Sequence, residues 1–115
     1  RPSSLPLELS PTTKTLEKLL KSNFKWTRLN ACVYLAGNKH YSCLNTLEKL
    51  ANDKDIRIKT YAVKLLGQLS GEEALKILTR HRNDESARVR VTVAESILKI
   101  LSKQKAISRK SVSLN

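Results

Sequence analysis

The most regularly spaced polar side chains are three cations, Arg28, Lys59 and Arg90, which recur every 31 residues. Guanidinium and ammonium groups donate hydrogen bonds to carboxylates, phosphates and carbonyl oxygens. The column therefore predicts either ion pairs within the protein or contacts with an anionic ligand. Its fixed interval indicates that repeated structural elements hold the three side chains in place.

A second group of cations surrounds residues 79–87. It comprises Arg80, His81, Arg82, Arg88 and Arg90. Such a group can contact phosphates, although Asp84 and Glu85 lie within it and reduce its net charge. The basic end of the chain adds further cations. The candidate phosphate-binding or acid-binding residues are Arg80, Arg82, Arg88, Lys103, Lys105, Arg109 and Lys110.

Catalytic and metal-binding patterns are missing from the sequence. It contains no Gly-rich phosphate loop, no G-x-S-x-G motif and no cluster of metal ligands. The two cysteines and two histidines lack the spacing of a zinc site. Cys32 shares a repeat column with Val63 and Ala94, which predicts a small core residue. We therefore expect a protein that is not an enzyme and that uses no cofactor and no metal ion.

Two aromatic residues, Phe24 and Trp26, have two interpretations. An exposed Trp26 beside Lys25 and Arg28 would be a platform on which nucleic-acid bases stack. We favour the other interpretation, in which Trp26 closes one end of the hydrophobic core.

The charge of the chain predicts acidic partners. Its 115 residues include 22 basic and 10 acidic side chains, a formal net charge of +12. This excess favours nucleic acid, an anionic membrane surface or an acidic protein face, unless it serves only solubility. No apolar run approaches the ~20 residues of a transmembrane helix. Free cysteines fit an intracellular compartment, cytoplasmic or nuclear. Because residue 1 is Arg, we expect one part of a longer protein.

An internal repeat explains the regular spacing. The segment Leu16-Glu17-Lys18-Leu19 recurs 31 residues later as Leu47-Glu48-Lys49-Leu50. Each unit reads as two helices, because its apolar residues fall at intervals of three and four. The predicted repeat domain spans residues 12–102. Its units are residues 12–40, 42–70 and 71–102, between an extended leader (1–11) and a basic, Ser-rich tail (103–115).

The apolar stripes of the second helices define the predicted core. In unit two the stripe is Ile58, Ala62, Leu65, Leu66 and Leu69. In unit three it is Val89, Val93, Ala94, Ile97, Leu98 and Leu101. The many aliphatic residues of unit three leave its end with little polar cover, so we expect further units, a partner or the tail to cover it.

Polar residues mark the expected ends of the helices. Ser70–Glu73 reads Ser-Gly-Glu-Glu and matches a capping box at the start of a helix. Asp53, Asp55 and Asp84 suit the starts of second helices, where a carboxylate accepts free N–H groups. The connection Thr79–Ala87 is three residues longer than its counterparts.

The segments 58–67 and 89–97 resemble the second helix of HEAT repeats, above all the short bacterial type also found in phycobilin lyases. The resemblance covers residues 12–102. It implies an all-α fold, a right-handed α-α superhelix of about three helical hairpins. It also implies that the basic column forms a structural ladder with acidic residues of neighbouring units, with Asp55 and Asp84 as acceptors.

In folds of this kind the second helices line the concave face. Side chains of those helices that point away from the core are therefore the candidate partner-binding residues. They are Asn30, Tyr61, Lys64, Gln68 and Lys99. An ordinary solvated face is the alternative interpretation of this row.

Three functions remain open. We favour a non-catalytic scaffold, possibly a domain of a larger protein, that binds an acidic protein partner through its concave face. The second is a nucleic-acid-binding domain that uses basic backbone contacts, with an affinity that falls steeply with salt. The third rests on the resemblance alone and is an accessory subunit of an enzyme such as a bilin lyase.

The repeat register makes a direct prediction. Leu66→Asp places a charge in the shared core, at a cost of several kcal/mol, and should unfold the middle unit. Circular dichroism and thermal melting measure the loss. Lys64→Glu, two residues away on the opposite face, is the control and should keep the helical signal. A Leu66→Asp variant with the wild-type melting temperature would show that the register is wrong.

Overall fold

The computed structural model describes residues 11–113, and within this range every regular element is helical. Helices α1 (Pro11–Leu19) and α2 (Lys25–Gly37) form the first hairpin. A 3-10 turn, Tyr41–Cys43, leads into α3 (Leu44–Leu50), which pairs with α4 (Ile56–Leu69). Helices α5 (Glu72–Arg80) and α6 (Ala87–Ser113) form the third hairpin. The predicted all-α stack of three hairpins is confirmed. The predicted leader before residue 11 lies outside the described residues.

The three hairpins stack side by side in two layers. The molecule measures 49 × 46 × 21 Å, and the short dimension is that of two helices of about 10 Å each. Helix α4 is central, because it contacts α2 and α6 in its own layer and also α3 and α5. A helix with neighbours on several sides must be apolar over much of its surface.

The core lies along the second helices. The whole predicted stripe of α4 is buried: Ile58, Ala62, Leu65, Leu66 and Leu69. Fully burying one such Leu or Ile side chain stabilises the fold by about 1.5–3 kcal/mol. Cys32 is also fully buried, as a small core residue. A hydrogen bond with Cys43, together with burial, raises the pKa of the Cys32 thiol, so Cys32 remains protonated.

The predicted stripe of α6 is partly wrong. Val89 and Val93 are buried and Ile97 is half-buried, as expected. The remaining three predicted core residues, Ala94, Leu98 and Leu101, are exposed. Ser96 and Ile100 point inward instead, with relative exposures of 6% and 0%. Only one side of α6 packs against α4 and α5, so α6 buries a narrower stripe of side chains than α4 does.

Helices α4 and α6 approach each other closely at Gly67. A Cβ atom on Gly67 would lie 2.7 Å from the Cβ of Ser96 and 2.8 Å from its Oγ. The Ser96 hydroxyl donates a hydrogen bond of 3.2 Å to the Val63 carbonyl oxygen, which satisfies this buried polar group. The small pair Gly67 and Ser96 therefore sets the distance between the two helices.

The turn between α4 and α5 differs from the expected capping box. Ser70 and Gly71 both have positive φ angles, 66° and 91°. Gly71 occupies the N-cap position of α5 and offers no side chain, so the predicted Ser70 cap is wrong. The Tyr41 hydroxyl donates to the carbonyl oxygens of Leu69 and Ser70, at 3.2 and 3.3 Å. Tyr41 therefore stabilises the turn between α4 and α5, in place of the expected capping box.

The third hairpin contains two further differences from the sequence prediction. Helix α5 continues past Leu78 to Arg80, so its connection to α6, residues 81–86, is one residue longer than residues 51–55, not three. Residues 103–113, predicted to belong to a basic tail that extends the helix only briefly, continue α6 to Ser113. This segment has no Gly or Pro, and its Lys, Arg, Gln and Ala residues, six of eleven, favour helix.

Two glycines give a matched test of the α4–α6 contact. Gly67→Ala should destabilise the fold by about 1–3 kcal/mol, because the new methyl group overlaps Ser96. Gly37→Ala has nothing within 4 Å of its new Cβ and should stabilise the end of α2 by about 0.5–1 kcal/mol. Chemical denaturation measures both. Equal shifts in the same direction would contradict the close approach at Gly67.

Candidate binding groove

The second helices line one continuous groove. Two neighbouring cavities of about 290 and 340 Å³ share Thr60, Lys64 and Arg88 as wall residues. This groove is lined by Trp26 of α2, by Arg57, Thr60, Tyr61 and Lys64 of α4, and by Arg88, Thr92, Glu95, Ser96 and Lys99 of α6. Its wall therefore combines aromatic rings, hydroxyl groups and cations from all three repeat units.

The repeat positions these side chains. Trp26, Arg57 and Arg88 lie 31 residues apart, each at the second position of its helix. One turn further on, Tyr61 and Lys64 lie on the same side of α4, away from the buried stripe. Equivalent positions of successive hairpins thus form rows across the groove.

The end of the groove at α2 is an aromatic and guanidinium stack. The Arg57 guanidinium lies 5.4 Å from the centre of the Trp26 ring, within cation–π range. Arg57 also donates two hydrogen bonds to Asp55, at 2.9 and 3.2 Å. Asp55 in turn caps α4 by accepting the Arg57 backbone N–H at 2.9 Å. These hydrogen bonds lower the pKa of Asp55 to about 2.

The position of Trp26 overturns the expectation that it closes the core. Its relative exposure is 43%, and that of Phe24 is 74%. Phe24 is the N-cap residue of α2 and packs on the surface. Leu29 and Leu35, both fully buried, fill the core of the first hairpin in their place. Trp26 is therefore available on the groove wall, with one face covered by Arg57.

Three cations of the groove have no acidic partner. In residues 12–109, whose side chains the structure describes, Lys64, Arg88 and Lys99 are exposed and form no ion pair. Glu95 lies on the same wall but beyond ion-pair distance from them. The groove wall therefore presents unpaired positive charge beside an aromatic ring.

Positive charge continues beyond Lys99. Lys39 reaches across from the connection after α2, and its ammonium group donates to the Gln68 carbonyl oxygen at the end of α4. Burial, followed by the neighbouring Lys103 and Lys99, lowers the pKa of Lys39. Like charges therefore meet at this end of the groove, where an anion would relieve their repulsion.

The predicted partner-binding row is divided by the structure. Tyr61, Lys64 and Lys99 lie on the groove wall. Asn30 is exposed on α2 at the position equivalent to Tyr61, but it is not part of the wall. Gln68 is half-buried, and its backbone carbonyl accepts the Lys39 hydrogen bond.

The predicted phosphate-binding cluster does not converge. Arg80 pairs with Glu48 at 2.7 Å and joins α5 to α3. Arg82 is exposed in the connection before α6, while Arg88 points into the groove. Lys103, Lys105 and Arg109 are exposed along the later turns of α6, and the side chain of Lys110 lies outside the described residues.

The basic column makes mainly local contacts. Arg28 donates to the Ser22 carbonyl oxygen at 2.6 Å, and Arg90 makes the same bond to Asp84 at 2.8 Å, six residues back in each case. Lys59 differs, because it donates to the Asp84 carboxylate of the next unit at 2.7 Å. The expectation that Asp55 accepts from the column is wrong, since Asp55 is occupied by Arg57.

A second column, which the sequence analysis did not single out, fixes the same loops. Ser22, Asp53 and Asp84 lie 31 residues apart. The side chain of each accepts the backbone N–H two residues later, at 3.1, 2.9 and 2.9 Å. These three identical turns begin the second helix of every unit at the same repeat position. They place Trp26, Arg57 and Arg88 in register.

Arg57 is a groove residue that the sequence analysis did not single out. The sequence does indicate its position, because the 31-residue shift that relates Arg28 to Lys59 also relates Trp26 to Arg57 and Arg88. The column mixes an aromatic residue with two cations and so lacks a common character. Similarity of residue type identifies scaffold columns, whereas groove columns vary.

The fold and the groove define a helical-repeat protein of the α-solenoid class. Residues 13–99 match the family model of HEAT repeats, and the chain belongs to this family. HEAT repeats generally serve as protein-interaction scaffolds, and the family is typically non-catalytic. No curated protein gives a significant match.

Two further properties of residues 11–113 bear on the class of site. None of the helices in this range is both long and apolar enough to cross a membrane. The same residues include no group of three or more His, Cys, Asp or Glu side chains placed to hold a metal ion.

The Lys59–Asp84 pair makes stability depend on pH. The hydrogen bond from Lys59 lowers the pKa of Asp84 in the folded protein. The contribution of this ion pair to the free energy of unfolding is therefore fully present above the ordinary carboxyl pKa, and it is lost as pH falls through the lowered pKa of folded Asp84. Asp84→Asn should lose about 1–3 kcal/mol at pH 7, since both side chains are mostly buried. The difference from wild type should shrink below about pH 4.

Urea unfolding of both proteins between neutral and acidic pH measures this difference. Glu73→Gln removes an exposed i,i+3 pair with Lys76 and is the control, expected to change stability little. A wild-type advantage that stayed constant down to acidic pH would contradict the role of the ion pair.

Proposed function

We propose that this chain is a non-catalytic interaction module that binds an acidic segment of a partner protein in its groove. The observation that supports the proposal is the set of three unpaired cations, Lys64, Arg88 and Lys99, on one wall. Cations that served only the solubility of the protein would not need to lie together on one wall. Membership of a family of interaction scaffolds agrees with this interpretation.

The spacing of the helices suggests the form of the ligand. Packed helices lie about 8–10 Å apart, and a polyproline II segment, with three residues per turn, presents the same side about every 9 Å. Carboxylates at every third position of such a segment would therefore meet successive helices, reaching Lys64 on α4 and Arg88 on α6. An apolar residue of the same segment would lie against Tyr61 and Trp26.

Affinity would come from several weak contacts together. Each exposed ion pair contributes about 0.2–1 kcal/mol, so the cations chiefly steer association and select acidic sequences. The aromatic end supplies buried apolar contact, which is less sensitive to salt. The rigid stack holds both parts in place before binding, which reduces the entropy lost.

A nucleic acid is the rival ligand for the same cations. Base stacking needs a free aromatic face, and the Arg57 guanidinium lies over the ring of Trp26. A base would have to displace an arginine that Asp55 holds with two hydrogen bonds. This cost favours the acidic protein segment as the ligand.

Fluorescence of Trp26, the single tryptophan, provides the assay. The probe is a short polyproline II peptide with glutamates at every third position and one central phenylalanine, and its glutamine counterpart is the peptide control. Wild type should bind the glutamate peptide, with an affinity that falls as salt rises. Lys64→Glu with Arg88→Glu should weaken binding at least about tenfold.

A charge-matched variant tests whether location matters. Lys18→Glu with Arg82→Glu makes the same change in net charge at exposed sites outside the groove. It should retain most of the binding. If both double variants lose binding equally, the effect is one of overall charge and the proposal fails. Tighter binding of a labelled oligonucleotide than of the peptide would favour the nucleic-acid function instead.

A further inference from the structure

Helix α6 presents a face that its two equivalents bury. On α4, Val63 and Gly67 are buried where α6 packs. In α2 the same two positions hold Cys32 and Ala36, which are 0% exposed. The 31-residue shift places Ala94 and Leu98 of α6 at these positions. Both are exposed, and the relative exposure of Leu98 is 64%.

The exposed residues form a continuous stripe. Val91, Ala94, Leu98 and Leu101, the outer stripe, follow the i, i+3, i+7, i+10 spacing of a single helical face. The relative exposures of Val91 and Leu101 are 58% and 43%. The stripe is about 15 Å long, or three helical turns. In α2 and α4 this face receives the second helix of the next hairpin, so its shape suits a helix.

Exposed cations lie at both ends of the outer stripe. Arg90 is exposed at its beginning, and Lys105 and Arg109 are exposed one and two turns beyond its end. The face is therefore apolar in the middle and basic at both ends. A helix that fits it would be apolar along one side and acidic towards its ends.

A second copy of the chain is a poor occupant. Two copies would bring these cations together in a chain whose formal net charge is +12. A stripe of four small and medium side chains also buries much less than the roughly 1,200 Å² of a stable protein–protein interface. A complementary acidic helix avoids the repulsion and can extend its contacts beyond the stripe.

We propose that the outer stripe is a docking site for an amphipathic helix of a partner protein, with acidic residues that face Arg90, Lys105 and Arg109. The docked helix would take the place of the next repeat. This site is separate from the groove and does not depend on the function proposed for it. An acidic helix would also contact residues 102–109, which are exposed throughout.

The probe is a fluorescein-labelled helical peptide of about 20 residues, long enough to form a helix. It has leucines at i, i+3, i+7 and i+10 and flanking glutamates, and its control peptide has lysine in place of every glutamate. Fluorescence anisotropy should show binding of the acidic peptide and little binding of the basic one. Hydrogen exchange of residues 91–109 should slow when the acidic peptide is bound.

Two variants test the location. Leu98→Glu changes an exposed residue, should keep the fold, and should weaken binding of the acidic peptide at least about tenfold. Val91→Thr removes apolar surface without adding charge and should weaken it in the same direction. Lys64→Glu with Arg88→Glu, the groove variant, should change binding to the stripe only slightly.

Three results would overturn the proposal. The first is equal binding of the acidic peptide to wild type and Leu98→Glu. The second is loss of binding in the groove variant but not in Leu98→Glu, which would place the peptide in the groove. The third is a dimer of the wild type, seen by sedimentation velocity and abolished by Leu98→Glu, which would identify a second copy as the occupant.

Discussion

The structure depends on one constraint: the second helix of a hairpin is apolar on more than one side, and a single hairpin cannot cover it. Helix α4 shows the constraint satisfied, because α2, α3, α5 and α6 all contact it. The approach of Gly67 to Ser96 shows how tightly one of these sides is closed. Stacking is therefore a condition of folding, and the groove is the side of the second helices that stacking leaves open.

The turns before the second helices fix the residue at which each of these helices begins. Ser22, Asp53 and Asp84 make the same side-chain bond to the backbone N–H two residues later. Because each second helix then begins at the same point of the repeat, side chains at equal positions align across neighbouring helices. Polar turns that contribute little to the core thus determine which residues share the groove wall.

Sequence periodicity predicted the hairpins and the stripe of α4, because interior helices bury every apolar side chain that the period identifies. It failed at α6, where Leu98 and Leu101 follow the same period but are exposed. A period shows which residues share a face and does not show whether another helix covers it. Trp26 was misplaced for a related reason, since residue type alone does not separate a core aromatic residue from one on a groove wall.

The distribution of charge follows from the scarcity of acidic residues. With 10 carboxylates against 22 cations, most acids near the hairpin ends are already engaged. Asp53 pairs with Lys25, Asp84 with Lys59 and Glu48 with Arg80, and each pair joins two different helices or their loops. Few carboxylates remain for the groove and the later turns of α6. If the positive charge served only solubility, paired and unpaired cations would not need to lie in separate regions. A binding surface for an acidic partner, by contrast, requires cations that form no ion pair within the protein.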